Sequence, residues 1–267
     1  MSQLSQKDAN SAGGSHAIRR TDNRDQRLKN TMGFSLRRWL LATLSRRELD
    51  VRQEEWKHLR FSYSQFGEDL VAMSLLPEPG GFYVDVGAYH PVTLSNTFHF
   101  YRRGWRGIVI DGNPDCLHTF ARRRPRDVRV HAALSDRERE AVFEVHPAGT
   151  TSQLQDTGGA VLQPSPAGGR QIRLRTRTLR AVLDEHLPGG TRVDFLSIDC
   201  EHEDLAVLKS NDWTRYRARV VSVEDWETEP ERSEICRLLR GLGYALVATV
   251  GIGRIFRDER SGSPGQG

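Results

Sequence analysis

The chain is poor in cysteine, in long apolar runs and in net charge, and each shortage removes a class of protein. Its three cysteines, Cys116, Cys200 and Cys236, are odd in number and widely scattered among 267 residues. No Cys-x-x-Cys pair exists, so neither a disulfide framework nor a metal ribbon is expected, and reduced thiols in the cytoplasm are the plain inference. No apolar run approaches the roughly 20 residues that span a bilayer. The polar N-terminus also lacks the apolar stretch of a secretory signal. The formal charge is only +4, from 39 Lys and Arg against 35 Asp and Glu. No aromatic-basic ladder or base-reading motif accompanies it, so nucleic acid is not an expected partner. With 37% hydrophobic residues the chain can bury one sizeable core.

What is present is a pair of short apolar strands that each end in a carboxylate and a glycine. The first is Phe82-Tyr83-Val84-Asp85-Val86-Gly87-Ala88-Tyr89-His90; the second is Gly107-Ile108-Val109-Ile110-Asp111-Gly112-Asn113-Pro114. An open parallel sheet presents a nucleotide-like ligand at such strand ends. Gly87 allows a sharp turn and close backbone approach, and Asp111 can accept hydrogen bonds from both hydroxyls of a ribose. Between the strands the spacing predicts a helix over Ser95–Arg103, stopped at Gly104. The competing reading makes Asp85 and Asp111 ordinary strand-end turn formers.

A third shortage narrows the ligand. A dinucleotide fingerprint wants Gly-x-Gly-x-x-Gly, but here the stretch is Gly87-Ala88-Tyr89-His90-Pro91-Val92. A ligand without a pyrophosphate fits better, and S-adenosylmethionine has an adenosine and an amino-acid tail but no phosphate. A nicotinamide-dependent oxidoreductase is the weaker enzyme alternative. A noncatalytic ligand-binding or membrane-associated domain is the alternative outside enzymes.

From about Tyr63 to Phe256 the sequence resembles the FkbM-type S-adenosylmethionine-dependent methyltransferases. The resemblance is carried by Ser64-Gln65-Phe66-Gly67-Glu68-Asp69, Val84-Asp85-Val86-Gly87-Ala88, Ser95-Asn96-Thr97, Gly104-Trp105-Arg106-Gly107, Ile110-Asp111-Gly112-Asn113-Pro114, Ala132-Ala133-Leu134-Ser135-Asp136, Thr178-Leu179 and Ser197-Ile198-Asp199-Cys200-Glu201. It departs where the family often has Glu-Gly and this chain has Glu201-His202, and where Tyr89 replaces an Asn. The resemblance implies an α/β fold of the class I methyltransferase, Rossmann-like type: a mostly parallel seven-stranded sheet with a C-terminal antiparallel hairpin. It implies methylation of a hydroxyl on a sugar, glycolipid or natural product. Carried onto matching positions, it assigns Gln65, Asp85, Gly87, Ala88, Tyr89, Asp111, Gly112, Asn113, Ser135 and Asp136 to the cofactor. Ser135-Asp136, after a third strand over Val128–Leu134, is expected to meet the adenine.

A second cluster of chemistry begins at the apolar strand Val193–Asp199, followed by Cys200-Glu201-His202-Glu203-Asp204. Another strand, Val220–Val223, ends in Glu224-Asp225-Trp226. Adjacent strand tips lie about 5 Å apart, so Asp199, Glu224 and Asp225 are expected in one crevice, where three hard oxygen donors suit Mg²⁺ or Ca²⁺. The alternative is that Glu201, Glu203 and Asp204 open the next helix, with only Asp199 and Glu224 facing the site. Methyl transfer to oxygen releases a proton, and Asp199, Glu201 and His202 are the candidate acceptors of it, with His90 behind them.

The remaining sequence sets the organisation. Residues 1–30 and 259–267 read as polar disordered tails, 31–60 as a basic amphipathic helical extension and 61–258 as the methyltransferase domain. In the extension Leu36, Leu40 and Leu44 share a helical stripe beside Arg37, Arg38, Arg46 and Arg47. Such a helix can pack on its own domain or on a second copy. Through residues 34–47 it can also rest on an anionic membrane surface. Residues 148–169, rich in Gly, Pro, Ser, Thr and Gln, form a long loop of the kind that covers substrates. A helix over Pro230–Leu242 and a hairpin of Tyr244–Val250 with Arg254–Arg257 complete the expected architecture.

Overall fold

A computed structural model describes residues 57–145, 153–155 and 169–260. The chain divides into two units, residues 1–60 and 61–267. Of the first, the described part is a short 3-10 turn at Lys57–His58 and its exit, where Arg60 donates to the Lys57 carbonyl. The expected tail 1–30 and the basic stripe 34–47 lie outside the described residues, as does 261–267.

The second unit is built on seven strands. These are β1 (Phe82–Val86), β2 (Arg106–Asp111), β3 (Val128–His131), β7 (Phe195–Ile198), β8 (Val220–Glu224), β9 (Tyr244–Val250) and β10 (Gly253–Asp258), in the order β3-β2-β1-β7-β8-β10-β9. Neighbours from β3 to β8 are parallel; β10 runs antiparallel to both β8 and β9. A second sheet of β5 (Gln153–Gln155), β4 (Glu140–Val145) and β6 (Arg170–Arg175) is antiparallel throughout. Six helices accompany them among the described residues: α1 (Glu68–Leu75), α2 (Phe98–Arg102), α3 (Pro114–Arg123), α4 (Leu179–His186), α5 (Asp204–Lys209) and α6 (Glu234–Gly241).

The central strands read as continuous apolar runs because both of their faces are covered. All five residues of β1 are buried, and alternate ones serve different layers. Phe82, Val84 and Val86 join Ile108 and Ile110 under α4, α5 and α6, through Leu179, Val182, Leu208, Ile235 and Leu239. Tyr83 joins Val109 under α1, α2 and α3, through Ala72, Leu76, Phe100 and Phe120. This is the three-layer arrangement of an α/β domain.

Several expected boundaries shift for local reasons. The helix predicted from Ser95 is only Phe98–Arg102, because Leu94 sits at φ +55° and the hydroxyls of Ser95 and Thr97 bond into the interior rather than capping. The third strand stops at His131, and Ala132 to Leu134 peel toward the mouth of the sheet, Leu134 forming a lone bridge with Arg177. Ser233 starts α6 four residues later than Pro230 would, its hydroxyl accepting from the Cys236 amide at 2.9 Å. The terminal hairpin forms as expected. Of the long polar loop, the described residues 153–155 are strand β5, so that part of the reading as loop is corrected.

Candidate active site

Chain order reverses between β1 and β7: the path runs outward through β2 and β3, then returns to the other side of β1. In open α/β sheets a ligand crevice forms at this point, beyond the carboxyl ends of the strands. A cavity of about 390 Å³ lies there, within the range of roughly 300–1,000 Å³ typical of small-molecule sites.

The floor is two backbones held in close approach. Gly87 leaves β1 at φ +75°, and a Cβ on it would stand 1.7 Å from the Asp199 carbonyl oxygen. Its amide donates to Ile110 at 3.0 Å, and the Asp199 amide donates to Val86 at 3.0 Å, tying the tips of β1, β2 and β7 together. Asp111 stands on one wall. Its Oδ2 accepts from the Tyr89 amide at 2.9 Å and its Oδ1 from the Asn113 amide at 2.7 Å. Burial pushes its pKa up to about 6 against the pull of those amides. Beside it, where a Cβ on Gly112 would meet the Phe143 ring at 2.8 Å, the cavity has an apolar slot lined by Phe143 and Leu154 of the small sheet and by Ala132, Ala133 and Leu134.

The opposite wall is acidic. Asp199 and Glu224 line the crevice from the tips of β7 and β8, together with Glu201 and Glu203 from the turn after β7. Burial first, then Glu224, Asp204 and Glu201, holds the Asp199 carboxyl well above the ordinary range. Burial, then Asp204 and Glu201, raises Glu224 to about 7. One oxygen of Glu224, Oε2, is buried without a hydrogen-bond partner. Trp226, 54% exposed, and Leu94, 40% exposed, stand at the mouth.

Gln65 reaches this wall from a loop built to present it. Ser64 Oγ accepts from the Gly67 and Asp69 amides and donates to Asp69 Oδ1 at 2.9 Å, while Glu68 Oε2 accepts from the Phe66 amide at 2.9 Å. Gly67, at φ +105°, completes the turn.

Of the residues expected at the cofactor, Gln65, Gly87, Tyr89, Asp111 and Gly112 line the cavity. Asn113 serves one step back, capping α3 by accepting from the Asp115 amide at 3.1 Å, and Ala88 is buried in the core. Asp85 does not line the cavity: it is buried within β1 and accepts from the Thr97 hydroxyl, which in turn accepts from Arg124. Ser135 and Asp136 lie just outside the lining. Ser135 Oγ donates to Glu203 at 2.6 Å, Asp136 pairs with Arg139 at 3.1 Å, and the slot is lined by apolar residues instead.

The three-carboxylate metal set does not assemble. Asp225 turns into the protein, its Oδ2 accepting from Ser233 and pairing with the Arg254 guanidinium at 3.2 Å. Among the described residues no group of three His, Cys, Asp or Glu is placed to hold a metal ion. Of the proton acceptors, Asp199 and Glu201 face the crevice, whereas His202 is exposed with its ring centroid 5.6 Å from that of Trp226. His90 is engaged in its own loop, where Nδ1 accepts from the Val92 and Thr93 amides.

A methyltransferase FkbM domain model matches residues 85–246. The chain belongs to the FkbM methyltransferase family. As a family member it is an S-adenosylmethionine-dependent methyltransferase, and the nicotinamide and noncatalytic alternatives fall away. The match runs from the end of β1 into the start of β9, and so includes every lining residue of the crevice except Gln65 and Ile252. No curated protein matches the chain. Among the described residues no helix is long and apolar enough to cross a membrane.

The two departures of this FkbM domain from its family's usual residues both fall on left-handed backbone. Tyr89 has φ +49°, and Glu201 and His202 have φ +48° and +81°. Where the family often has Asn or Gly, the conformation is the one those residues adopt most readily. His202 therefore carries strain of about 1 kcal/mol that glycine would relieve. We expect His202→Gly to raise stability by about 1 kcal/mol, measured as the urea midpoint, with cofactor affinity unchanged; a loss of stability would mean that the tilted ring contact with Trp226 outweighs the strain.

Proposed function

We propose that this crevice methylates a hydroxyl oxygen of a small-molecule or glycan acceptor, with S-adenosylmethionine lying across the switch point. The observation that carries the reading is the pair of half-buried carboxylates, Asp199 and Glu224, that share the cavity lining with Asp111. In this reading Asp111 accepts from the ribose hydroxyls, and the slot between Phe143 and Leu134 takes the adenine. Gly87, Tyr89 and Gln65 border the amino-acid tail. The fit is supported by the bare Gly87 backbone, which lets the tips of β1 and β7 close into a floor, and by the bare Gly112 backbone, which lets the Phe143 ring close against the end of β2.

Bound S-adenosylmethionine supplies an electrophilic methyl on a sulfonium. The chain's share of the chemistry is positioning and proton removal. An acceptor entering past Trp226 and Leu94 brings its hydroxyl to the Glu224 carboxylate at the tip of β8. That group, or the Asp199 carboxylate beside it in the cavity lining, takes the proton as the oxygen–carbon bond forms. A pKa of about 7 suits the task, since the base is then substantially ionised near neutrality yet still basic. Glu201 stands behind them at the rim.

Isothermal titration with S-adenosylmethionine, followed by transfer of labelled methyl to a panel of hydroxylated acceptors, tests this reading. We expect micromolar binding that falls at least about a hundredfold in Asp111→Ala. With an acceptor, kcat should rise with pH through about 7 as Glu224 loses its proton. Glu224→Gln should abolish that rise and lower kcat by about 10²–10⁴. The raised folded pKa means that the ionised carboxylate weakens the fold above the unfolded value, so the Gln variant should be no less stable than the parent at about pH 8. Wild-type protein that does not bind S-adenosylmethionine would overturn the reading.

A further inference from the structure

The walls of the crevice carry charge of one sign. Asp111, Asp199, Glu201, Glu203 and Glu224 line it, and no Lys, Arg or His is among its described lining residues. The cations nearby are engaged elsewhere. Arg139 is held by Ser135, Asp136 and Glu203, Arg254 by Asp225, and Arg124 by Asp127 beneath the sheet. Glu224 Oε2 is buried without a hydrogen-bond partner, so the ionised carboxylate is costly there, and a cation nearby in the cavity offsets that cost through its field. The acceptor's hydroxyl can satisfy one oxygen, but it brings no charge.

We propose that this acidic wall reads the positive charge on the cofactor's sulfur, so that the protein holds S-adenosylmethionine more tightly than its neutral product S-adenosylhomocysteine and disfavours acceptors that carry phosphate, sulfate or carboxylate. The inference rests on the methyl-transfer reading above. With the ribose at Asp111 on β2 and the tail over Gly87 on β1, the sulfur between them faces the tips of β7 and β8, where Asp199 and Glu224 stand. Reactant and product share adenosine and tail, and differ by one methyl and one charge. Their difference in affinity therefore reports the local field. A unit charge a few ångströms from a carboxylate in a partly desolvated cleft is worth more than about tenfold in binding. Release of a neutral product into water would follow readily, and product inhibition would be weak.

The test is isothermal titration of the full chain with three ligands: S-adenosylmethionine, S-adenosylhomocysteine, and sinefungin, in which a protonated amine replaces the methylsulfonium. Both cations should bind at least about tenfold more tightly than the neutral sulfide. In Glu224→Gln that ratio should fall by at least about threefold with the affinity for S-adenosylhomocysteine unchanged. Glu201→Gln, farther out on the rim, should give a smaller fall. Equal binding of the three, tighter binding of the neutral product, or a ratio that neither substitution moves would overturn the inference while leaving methyl transfer standing. Failure of all three to bind would overturn methyl transfer and the inference together.

Discussion

Gly87→Ala should abolish detectable S-adenosylmethionine binding and destabilise the domain by about 3–5 kcal/mol. Two costs combine. A Cβ at φ +75° strains the backbone by about 1–3 kcal/mol. The same Cβ would lie 1.7 Å from the Asp199 carbonyl oxygen and 2.8 Å from its carbonyl carbon. The neighbour is backbone, not the end of a flexible side chain, so β1 and β7 have to separate at their tips. That movement carries Asp199 away from the crevice and breaks the bond from its amide to Val86. Thermal melts and titration calorimetry check the two halves; a variant that melts within a degree or two of the parent and still binds would show that the tips move freely. Ser at the same position should behave as Ala does, because the offence is the Cβ.

Arg124→Ala should cost about as much, about 3–5 kcal/mol, without touching the crevice. Its guanidinium is wholly buried and donates to Asp127 at 2.6 Å, to the Tyr83 hydroxyl at 2.8 Å, to Thr97 at 2.9 Å and to Ser95 at 3.3 Å. The rings of Phe120, Tyr83 and Tyr101 surround it at 4.9, 5.2 and 5.3 Å. Removal would strand Asp85 and Asp127 as buried carboxylates with no cation. Burial already raises the pKa of both, with Arg124 acting against it. The expected signature is a large drop in the denaturant midpoint, smaller at low pH, where those carboxyls can take up protons. Adding Asp127→Asn to the Arg124→Ala variant should recover part of the loss, and a double variant as unstable as the sum of its parts would argue against the network.

These two residues differ sharply in how far the sequence reveals them. Gly87 is conspicuous: a glycine after an apolar strand, in a stretch lacking the other glycines of a dinucleotide loop. Arg124 hides in the run Arg122-Arg123-Arg124-Pro125-Arg126, where nothing marks one arginine as interior. Strand positions were readable because burial on both faces writes unbroken apolar runs. Side-chain direction was not, since one step along a strand turns a residue to the other face. Asp85 and Asp225 were therefore placed at the right strand ends and yet point away from the crevice. Glu224, read either as a metal ligand or as one of two carboxylates facing the site, lines the cavity. The slot beside Asp111 was missed because Phe143 and Leu154 come from a separate small sheet, and nothing in the sequence of its strands tells which end of the main sheet it packs against. Tyr89 and His202 stood out as departures from the family's usual Asn and Gly, and both turn out to occupy left-handed backbone.

The insertion of β10 between β8 and β9 has a bearing on synthesis. Strand β8 finds its second neighbour only in residues 253–258, the last of the sheet to leave the ribosome. Until then Val220, Val221 and Val223 present an unpaired apolar edge, the kind that pairs with other chains. Ile252, beside the turn into that strand, is also part of the crevice wall. A chain halted before this point would hold every parallel strand yet lack both the partner that covers the edge of β8 and a complete mouth to the crevice.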